Sequence, residues 1–196
     1  MSSGRIVFTK ARSEDLQTMA AIEQEFFGDY DKSFDVSFFE KWFAHNPDMF
    51  FVIRDETNAV LGFVILTPVT EKLYTRLISG DVFDFFDFSE EDVLASMNSD
   101  YYYVSDICIT RKVKISSLGA TINIIGGLIE ILSEKAKYVT ACPVTKEGAG
   151  LCKTIGMKKV AESEHNGQSY TICQLDVTKG IVDRFRRLTQ RVNKVK

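Results

Sequence analysis

The most informative part of this sequence is Tyr101-Tyr-Tyr-Val-Ser-Asp-Ile-Cys-Ile109 and the segment Lys114-Ile-Ser-Ser-Leu-Gly119-Ala120, which follows it after a short basic segment. Its first part is apolar and rich in β-forming residues, which predicts a strand. Its second part opens the longest apolar helical pattern of the sequence, Ile122 to Leu132. Small residues at a helix start leave backbone N–H groups accessible, and the helix dipole favours anions there. The turn therefore predicts a pyrophosphate site, but a strand-to-helix turn alone could equally be structural.

Strands and helices alternate on both sides of this turn. Before it, we expect a strand at residues 5–11, two helices ending at Gly28 and at Asn46-Pro47, a hairpin over residues 50–66 and a short helix ending at Gly80. After it, a strand stops at Pro143, a helix ends at Gly156, and Asn166-Gly167 joins two final strands. The order β-α-α-β-β-α-β-α-β-α-β-β predicts an α/β (α+β) fold with a mixed central sheet of about seven strands flanked by helices. The unit from Tyr101 to Cys142 should be a right-handed parallel crossover.

Composition and length indicate an ordinary globular chain. It has 196 residues, of which 45% are hydrophobic and 26% charged, and this predicts one compact domain over residues 1–177 with a basic amphipathic C-terminal helix over 178–196. No apolar run reaches the roughly 18 residues of a membrane span, and the N-terminus lacks the apolar core of a secretory signal. The four cysteines lack metal-ligand spacing, so we expect reduced thiols, no zinc site and a cytoplasmic location.

The charge is unevenly distributed. Residues 178–196 carry seven Lys or Arg and one Asp, so that residues 1–177 hold a net charge of −9 within a total of −3. An acidic body argues against broad nucleic-acid affinity. The tail favours a helix packed on the body with solvated charges, while contact with RNA or an acidic membrane stays as a minority alternative.

The element order and two motifs resemble the GNAT superfamily of acyl-CoA-dependent N-acyltransferases. The family's phosphate loop, Gln/Arg-x-x-Gly-x-Gly/Ala, lies five residues after a strand valine, and Lys114-Ile-Ser-Ser117-Leu-Gly119 matches this frame with Ile109 at the valine position. Lys114 replaces Gln or Arg, Ser117 replaces the first glycine, and Arg111 stands at the usual proline. The segment from Gly148 to Met157 resembles the family's Ala-x-x-(Leu)-Tyr-x-x-x-Gly-Phe segment, about thirty residues further on. The resemblance covers most of residues 5–177.

The resemblance implies acetyl-CoA as the cofactor and a splayed pair of parallel central strands that admits its pantetheine arm. Backbone N–H groups around the loop would hold the pyrophosphate, and a strand N–H, that of Ile109 or Cys108, would point at the thioester oxygen. The implied cofactor-binding residues are Cys108, Ile109, Lys114, Ser116, Ser117, Leu118, Gly119 and Ala120.

The resemblance also implies two catalytic positions. Asp106 stands where relatives often carry a glutamate that deprotonates the amine, and Cys152 stands where they often carry a tyrosine that reprotonates the CoA thiolate. The alternative for Asp106 is a buried carboxylate bonded to a helix cap or a lysine. The alternative for Cys152 is a simple packing residue of a helix.

The expected reaction is transfer of an acetyl group from acetyl-CoA to a primary amine by direct attack. Asp84 and Asp87 could attract a cationic acceptor, although a solvated loop whose phenylalanines plug the core is the favoured interpretation of residues 81–92. The alternatives are a catalytically inactive CoA-binding or protein-interaction module, and a nucleic-acid-associated protein that uses the basic tail. The sequence leaves open the acceptor, the acyl chain length and whether the chain forms a homodimer.

Overall fold

A computed structural model describes the chain over residues 6–28, 34–110, 117–133, 135–165 and 167–194. Within these residues the strands are β1 Val7–Lys10, β2 Phe50–Arg54, β3 Val60–Val69, β4 Tyr101–Ile109, β5 Tyr138–Ala141, β6 Lys158–His165 and β7 Gln168–Asp176. The α-helices are α1 Leu16–Phe27, α2 Val36–His45, α3 Glu71–Ser79, α4 Ser117–Leu132, α5 Lys146–Ile155 and α6 Lys179–Lys194.

The described strands form one mixed sheet in the order β1-β2-β3-β4-β5-β7-β6. β4 and β5 are parallel and are joined through α4, whereas the pairs β1–β2, β2–β3, β5–β7 and β6–β7 are antiparallel. The predicted α/β class, the sheet of about seven strands and the parallel crossover are therefore confirmed. β1 lies outside the first hairpin, since it pairs with β2 at the edge of the sheet.

The chain divides into two compact units. The first contains residues 1–65, 106–133 and 179–196, and the second contains residues 66–105 and 134–178. The predicted division into a domain at 1–177 and a C-terminal helix at 178–196 stays a prediction. The tail does form a helix, α6, and it packs against α4 within the first unit. Val182 and Phe185 of α6 are buried, so these two apolar side chains are used in packing.

In the first unit, a buried ion pair holds the start of α1 beside β2. Nη2 of Arg54 lies 2.6 Å from Oδ2 of Asp15, and the same carboxylate oxygen accepts the backbone N–H of Arg12 at 2.7 Å. Both side chains of the pair are buried. A buried charge needs such a partner, because desolvation without one is costly. The direction of α1 is thereby set from its first turn.

Aromatic side chains fill the space around α2. Phe39 and Trp42 are buried, and the ring of Phe39 packs edge-to-face on that of Phe63 of β3 at a centroid distance of 5.5 Å. Phe34, which precedes α2, stacks on Phe38 at 4.0 Å. Phe34, Phe39 and Trp42 therefore belong to the core of the first unit.

In the second unit, phenylalanines of the acidic segment 81–92 are core residues. Phe83, Phe85 and Phe88 are buried, and the hydroxyl of Tyr103 donates to the carbonyl oxygen of Phe83 at 2.5 Å. Asp84 accepts the backbone N–H of Phe86 at 3.2 Å and so begins a short 3₁₀ turn. The favoured interpretation of this segment as a loop with core-plugging phenylalanines agrees with these contacts.

No described helix has the length and apolar character needed to cross a membrane.

Gly62 marks a close approach of β3 and β4. A Cβ atom at this position would lie 2.4 Å from the carbonyl oxygen of Cys108 and 3.0 Å from Cα of Ile109. Both atoms belong to the backbone, so they cannot rotate away as a side chain could. This glycine therefore sets the spacing between β3 and the second half of β4.

We predict that Gly62→Ala destabilises the fold by about 1–3 kcal/mol, because the added methyl group forces the two backbones apart. The measurement is urea denaturation. Gly150→Ala is the control: Gly150 lies inside α5 with nothing within 4 Å of an added Cβ, and alanine in a helix interior should be neutral or stabilise by roughly 0.5–1 kcal/mol. Equal midpoints for Gly62→Ala and the parent chain would contradict the prediction.

Candidate active site

The two edges of β4 differ in how far they are paired. On one edge, the parallel pairing with β5 runs from Tyr101↔Tyr138 to Val104↔Ala141, where β5 ends. On the other edge, the backbone N–H of Thr110 donates to the carbonyl oxygen of Leu61 on β3 at 2.8 Å. Among the described strands, none pairs with the first edge beyond Val104. This edge of the second half of β4, with which no described strand pairs, is called the open edge below.

The direction of the N–H groups distinguishes Ile109 from Cys108. Successive N–H groups along a strand point to opposite edges. Since the N–H of Thr110 is bonded to β3, the N–H of Ile109 points to the open edge and that of Cys108 points back towards β3. Of the two N–H groups that the resemblance implied as donors to a thioester oxygen, that of Ile109 is the one that points to the open edge; its role as a donor stays a prediction.

α1 places the carboxyl group of Glu23 near Asp106, in the part of β4 that belongs to the first unit. The buried face of α1 contains Leu16, Met19, Ala20 and Ile22, and Glu23 lies on this same face with only 3% of its surface exposed. One of its carboxylate oxygens, Oε2, is buried and has no hydrogen-bond partner among the described residues. Buried side-chain oxygens without a partner are rare in folded proteins.

Burial raises the pKa of Glu23 from its ordinary value of 4.5 to about 7. The backbone N–H of Phe34 opposes this rise of the pKa by bonding to the carboxylate, and the negative charge of Asp106 adds to it. The influence of Asp106 shows that the two carboxyl groups are close enough for their charges to interact. Glu23 therefore changes its charge near neutral pH.

Asp106 is half-buried in β4 and bonds to its neighbour on the same face of the strand. The thiol of Cys108 lies 3.3 Å from Oδ1 of Asp106 and donates to it. Burial, followed by the negative charge of Asp106, raises the pKa of Cys108 far above its ordinary value. Cys108 thus stays a thiol, and a buried thiol is a poor nucleophile.

The end of β4 is held to α1 by a further hydrogen bond. The hydroxyl of Thr110 donates to Oε2 of Glu25 at 2.9 Å. The backbone of Thr110 is thus held by Leu61 of β3, and its side chain is held by Glu25 of α1. Asp106, Cys108 and Thr110 therefore share the face of β4 that α1 covers.

The predicted phosphate loop is described only in part. Lys114 and Ser116 lie outside the described residues. α4 begins at Ser117 and includes Leu118, Gly119 and Ala120 in its first turn, as expected for a helix that opens with small residues. The cofactor-binding role of all these positions stays a prediction.

Cys152 lies on α5 in the second unit. It is buried and packs with Ala141 and Cys173, with Val104 and Met157 at the margin. Burial, then the charge and hydrogen bond of Cys173, raise the pKa of Cys152 to about 12. A thiol with this pKa donates its proton less readily than a free thiol. Its contacts are those of a packing residue, and its predicted role as a general acid stays a prediction.

The residue that sequence analysis missed is Glu23. The signal was present, because Glu23 falls on the apolar face that Leu16, Met19 and Ile22 define at helical spacing. A carboxylate on such a face is seldom structural unless it has a charged partner. The proximity of Glu23 to Asp106 on β4 could not be predicted from this local pattern.

Comparison with known proteins agrees with the architecture described above. No protein-family model matches the sequence, and no curated protein matches it significantly. Solved structures do match across most of the chain: the GNAT-like decarboxylase GphF in complex with isobutyryl-CoA has a TM-score of 0.69 at 10% identity, with 89% of this chain and 100% of that chain covered. This chain has the GNAT fold.

Two further structures with the GNAT fold illustrate its range. An N-acetyltransferase from Staphylococcus aureus Mu50 has a TM-score of 0.60 at 14% identity, covering 89% of this chain and 99% of that chain. The NatC complex bound to Gag peptide and CoA has a TM-score of 0.60 at 11% identity, covering 89% of this chain and 99% of its own. At these identities the likeness establishes the fold and not the activity.

We predict that Glu23→Gln removes a pH dependence of stability. The folded chain holds the pKa of Glu23 near 7, above its ordinary value of 4.5. Between these two pH values the folded state binds more protons than the unfolded state, so the free energy of unfolding falls as the pH rises through this window. Glutamine mimics the neutral carboxyl group. The variant should match the parent chain near pH 4.5 and exceed it by on the order of 2 kcal/mol at pH 8.

The measurement is urea denaturation of both chains at several pH values. All other titrating groups are common to the two proteins, so their effects cancel in the difference. A difference between the two chains that is constant from pH 4.5 to pH 8 would show that Glu23 titrates normally.

Proposed function

We propose that this protein is an N-acyltransferase that moves an acetyl group from acetyl-CoA to a primary amine by direct attack. The observation that carries the proposal is the open edge of β4 next to two carboxyl groups, Asp106 and Glu23, in a chain with the GNAT fold. The edge can pair with an extended amide-bearing arm, and the carboxyl groups can receive an amine and its proton.

The described residues fit a CoA thioester in two respects. The pantetheine arm contains amide groups, and the unpaired edge of β4 beyond Val104 offers backbone partners for them. α4, the next helix after β4 in the chain, begins at Ser117, and the N–H groups of a helix start attract phosphates. Ser117, Leu118, Gly119 and Ala120 would hold the pyrophosphate, with Lys114 and Ser116 as further expected contacts.

Each residue then has a defined task. The N–H of Ile109 would donate to the thioester oxygen, and a preorganised donor of this kind can contribute ~2.7–4 kcal/mol to the transition state. Asp106 would take the proton from the amine as the catalytic base. Acetyl-CoA would supply the acetyl group in activated form, as a thioester of coenzyme A. Since its thiolate is a reasonable leaving group, the mechanism does not depend on Cys152.

The two carboxyl groups favour an amine acceptor over an anionic substrate. One structure with this fold is a decarboxylase, and decarboxylation requires a substrate with a carboxylate of its own. Asp106 and Glu23 would repel such a group at short range. A cationic acceptor, such as a polyamine, an amino sugar or a lysine side chain, is attracted by the same charges.

We predict that acetyl-CoA raises the thermal midpoint of the full chain and that thiol is released when an amine is added. Ligand at about 100 times its Kd adds ~2.7 kcal/mol of stability. Asp106→Asn should keep the thermal shift but lower turnover by about 10²–10⁴-fold, the usual contribution of a general base. Asp48→Asn, which changes an exposed carboxylate paired with Lys10, is the control and should retain turnover.

The outcomes separate the alternatives. No thermal shift with acetyl-CoA, longer acyl-CoAs or free CoA rejects the proposal. A shift without thiol release for spermidine, glucosamine and a lysine peptide favours a CoA-binding module without catalysis. Equal turnover of Asp106→Asn and the parent chain would remove Asp106 from the mechanism.

A further inference from the structure

The carboxyl group of Glu23 lies where a proton could be stored. It is buried on α1, its Oε2 has no hydrogen-bond partner among the described residues, and Asp106 on β4 is close enough to affect its charge. Asp106 is the more exposed of the two, because it is half-buried while Glu23 is 3% exposed. An acceptor that arrives from solvent therefore reaches Asp106 more easily than Glu23.

We infer that Glu23 holds the proton that Asp106 takes from the acceptor amine, so that the two carboxyl groups act as one proton acceptor. The inference rests on the acyl-transfer function proposed above and adds a residue to it. Glu23 acts through Asp106 and is a positioning residue, since it determines where the proton rests. Its buried Oε2 is the atom that receives it.

The proton transfer balances without any additional reactant. An N–H bond of the ammonium group breaks and its electron pair stays on nitrogen, which becomes the nucleophile. An O–H bond forms on Asp106, and transfer between the carboxyl groups leaves the proton on Oε2 of Glu23. Release to solvent after turnover restores the ionised pair.

Three kinds of group determine when Glu23 can accept a proton. On β4, Asp106 and the thiol of Cys108 face it, and on the α2 side the backbone N–H of Phe34 donates to it. Glu40 and Lys41 of α2 are exposed to solvent. On α1 itself, Glu25 bonds to Thr110. The facing side chains on β4 thus add no positive charge that would keep Glu23 ionised at low pH.

Burial sets the pH above which Glu23 is ionised and can accept a proton. Because the pKa of Glu23 is raised to about 7, the group is ionised above this pH and already carries a proton below it. A base works best when its pKa is near the operating pH. The rate constant kcat/KM should therefore fall about tenfold for each pH unit below 7.

The first test follows the carboxyl group directly and needs no activity. In the full chain labelled with ¹³C at the glutamate carboxyl carbons, the resonance lost in Glu23→Gln identifies Glu23. We expect this resonance to titrate near pH 7 and to shift to lower pH in Asp106→Asn, which removes the neighbouring charge. A Glu23 resonance that titrates near 4.5, or one that Asp106→Asn leaves unchanged, overturns the inference.

The second test is the pH profile of kcat/KM with acetyl-CoA and the amine that gives turnover. Glu23→Gln should lower the rate about tenfold or more at pH 8 and abolish the decline centred near pH 7. Deprotonation of the free amine affects both proteins equally, so only their difference reports on Glu23. Glu14→Gln, which changes an exposed carboxylate paired with Arg12, is the matched control and should keep the parent profile.

The two proposals fail in different ways. If the parent chain transfers acetyl groups but Glu23→Gln keeps the decline near pH 7, the inference fails and the proposed function stands. If no amine is acetylated by any of the proteins, the proposed function fails, and the proton-holding role fails with it.

Discussion

The two edges of β4 are paired over different lengths, and the arrangement of the site follows from this difference. β4 is held on the β3 side up to its last residues, where Gly62 permits close contact and Thr110 bonds to Leu61. On the other side its parallel pairing stops at Val104↔Ala141. Backbone N–H and C=O groups need partners. Among the described strands, none supplies partners for those of the second half of β4 on this edge.

Among the described residues, the buried carboxyl group of Glu23 differs from the other buried acids, which lie beside an arginine. Asp15, the other buried acid of this part of the chain, has the guanidinium of Arg54 at 2.6 Å. Glu23 instead faces a second acid, Asp106, and leaves one oxygen without a described partner. Local disagreement of this kind is expected at functional sites, where stability is given up for chemistry.

The thiols of the chain contrast with these carboxyl groups. Cys108 donates a hydrogen bond to Asp106 and is held protonated by burial and by the nearby negative charge. Cys152 is packed against Ala141 and Cys173. Buried thiols without a cation nearby are unreactive. In the proposed function, proton transfer is therefore assigned to the carboxyl groups and not to these thiols.

The order of the strands and helices could be predicted from the amino-acid sequence alone, because hydrophobic periodicity and helix-ending glycines are local signals. Gly80 and Gly156 end their helices with φ of 83° and 87°, a conformation that glycine adopts readily. The parallel crossover through α4 followed from the element order, since two parallel strands need such a connection. Asp106 was also a candidate, because the resemblance to the GNAT superfamily places it where relatives often carry a glutamate.

Three features come only from the three-dimensional structure: Glu23 lies beside Asp106, the pairing of β4 with β5 stops at Val104↔Ala141, and Ile109 rather than Cys108 points its N–H to the open edge. These features depend on how α1 packs on β4 and on which strand bonds to Thr110. Packing and strand pairing bring together residues that are far apart in the chain. A local pattern contains the residue types but not the distances between them, and those distances set the pKa and the direction of each donor.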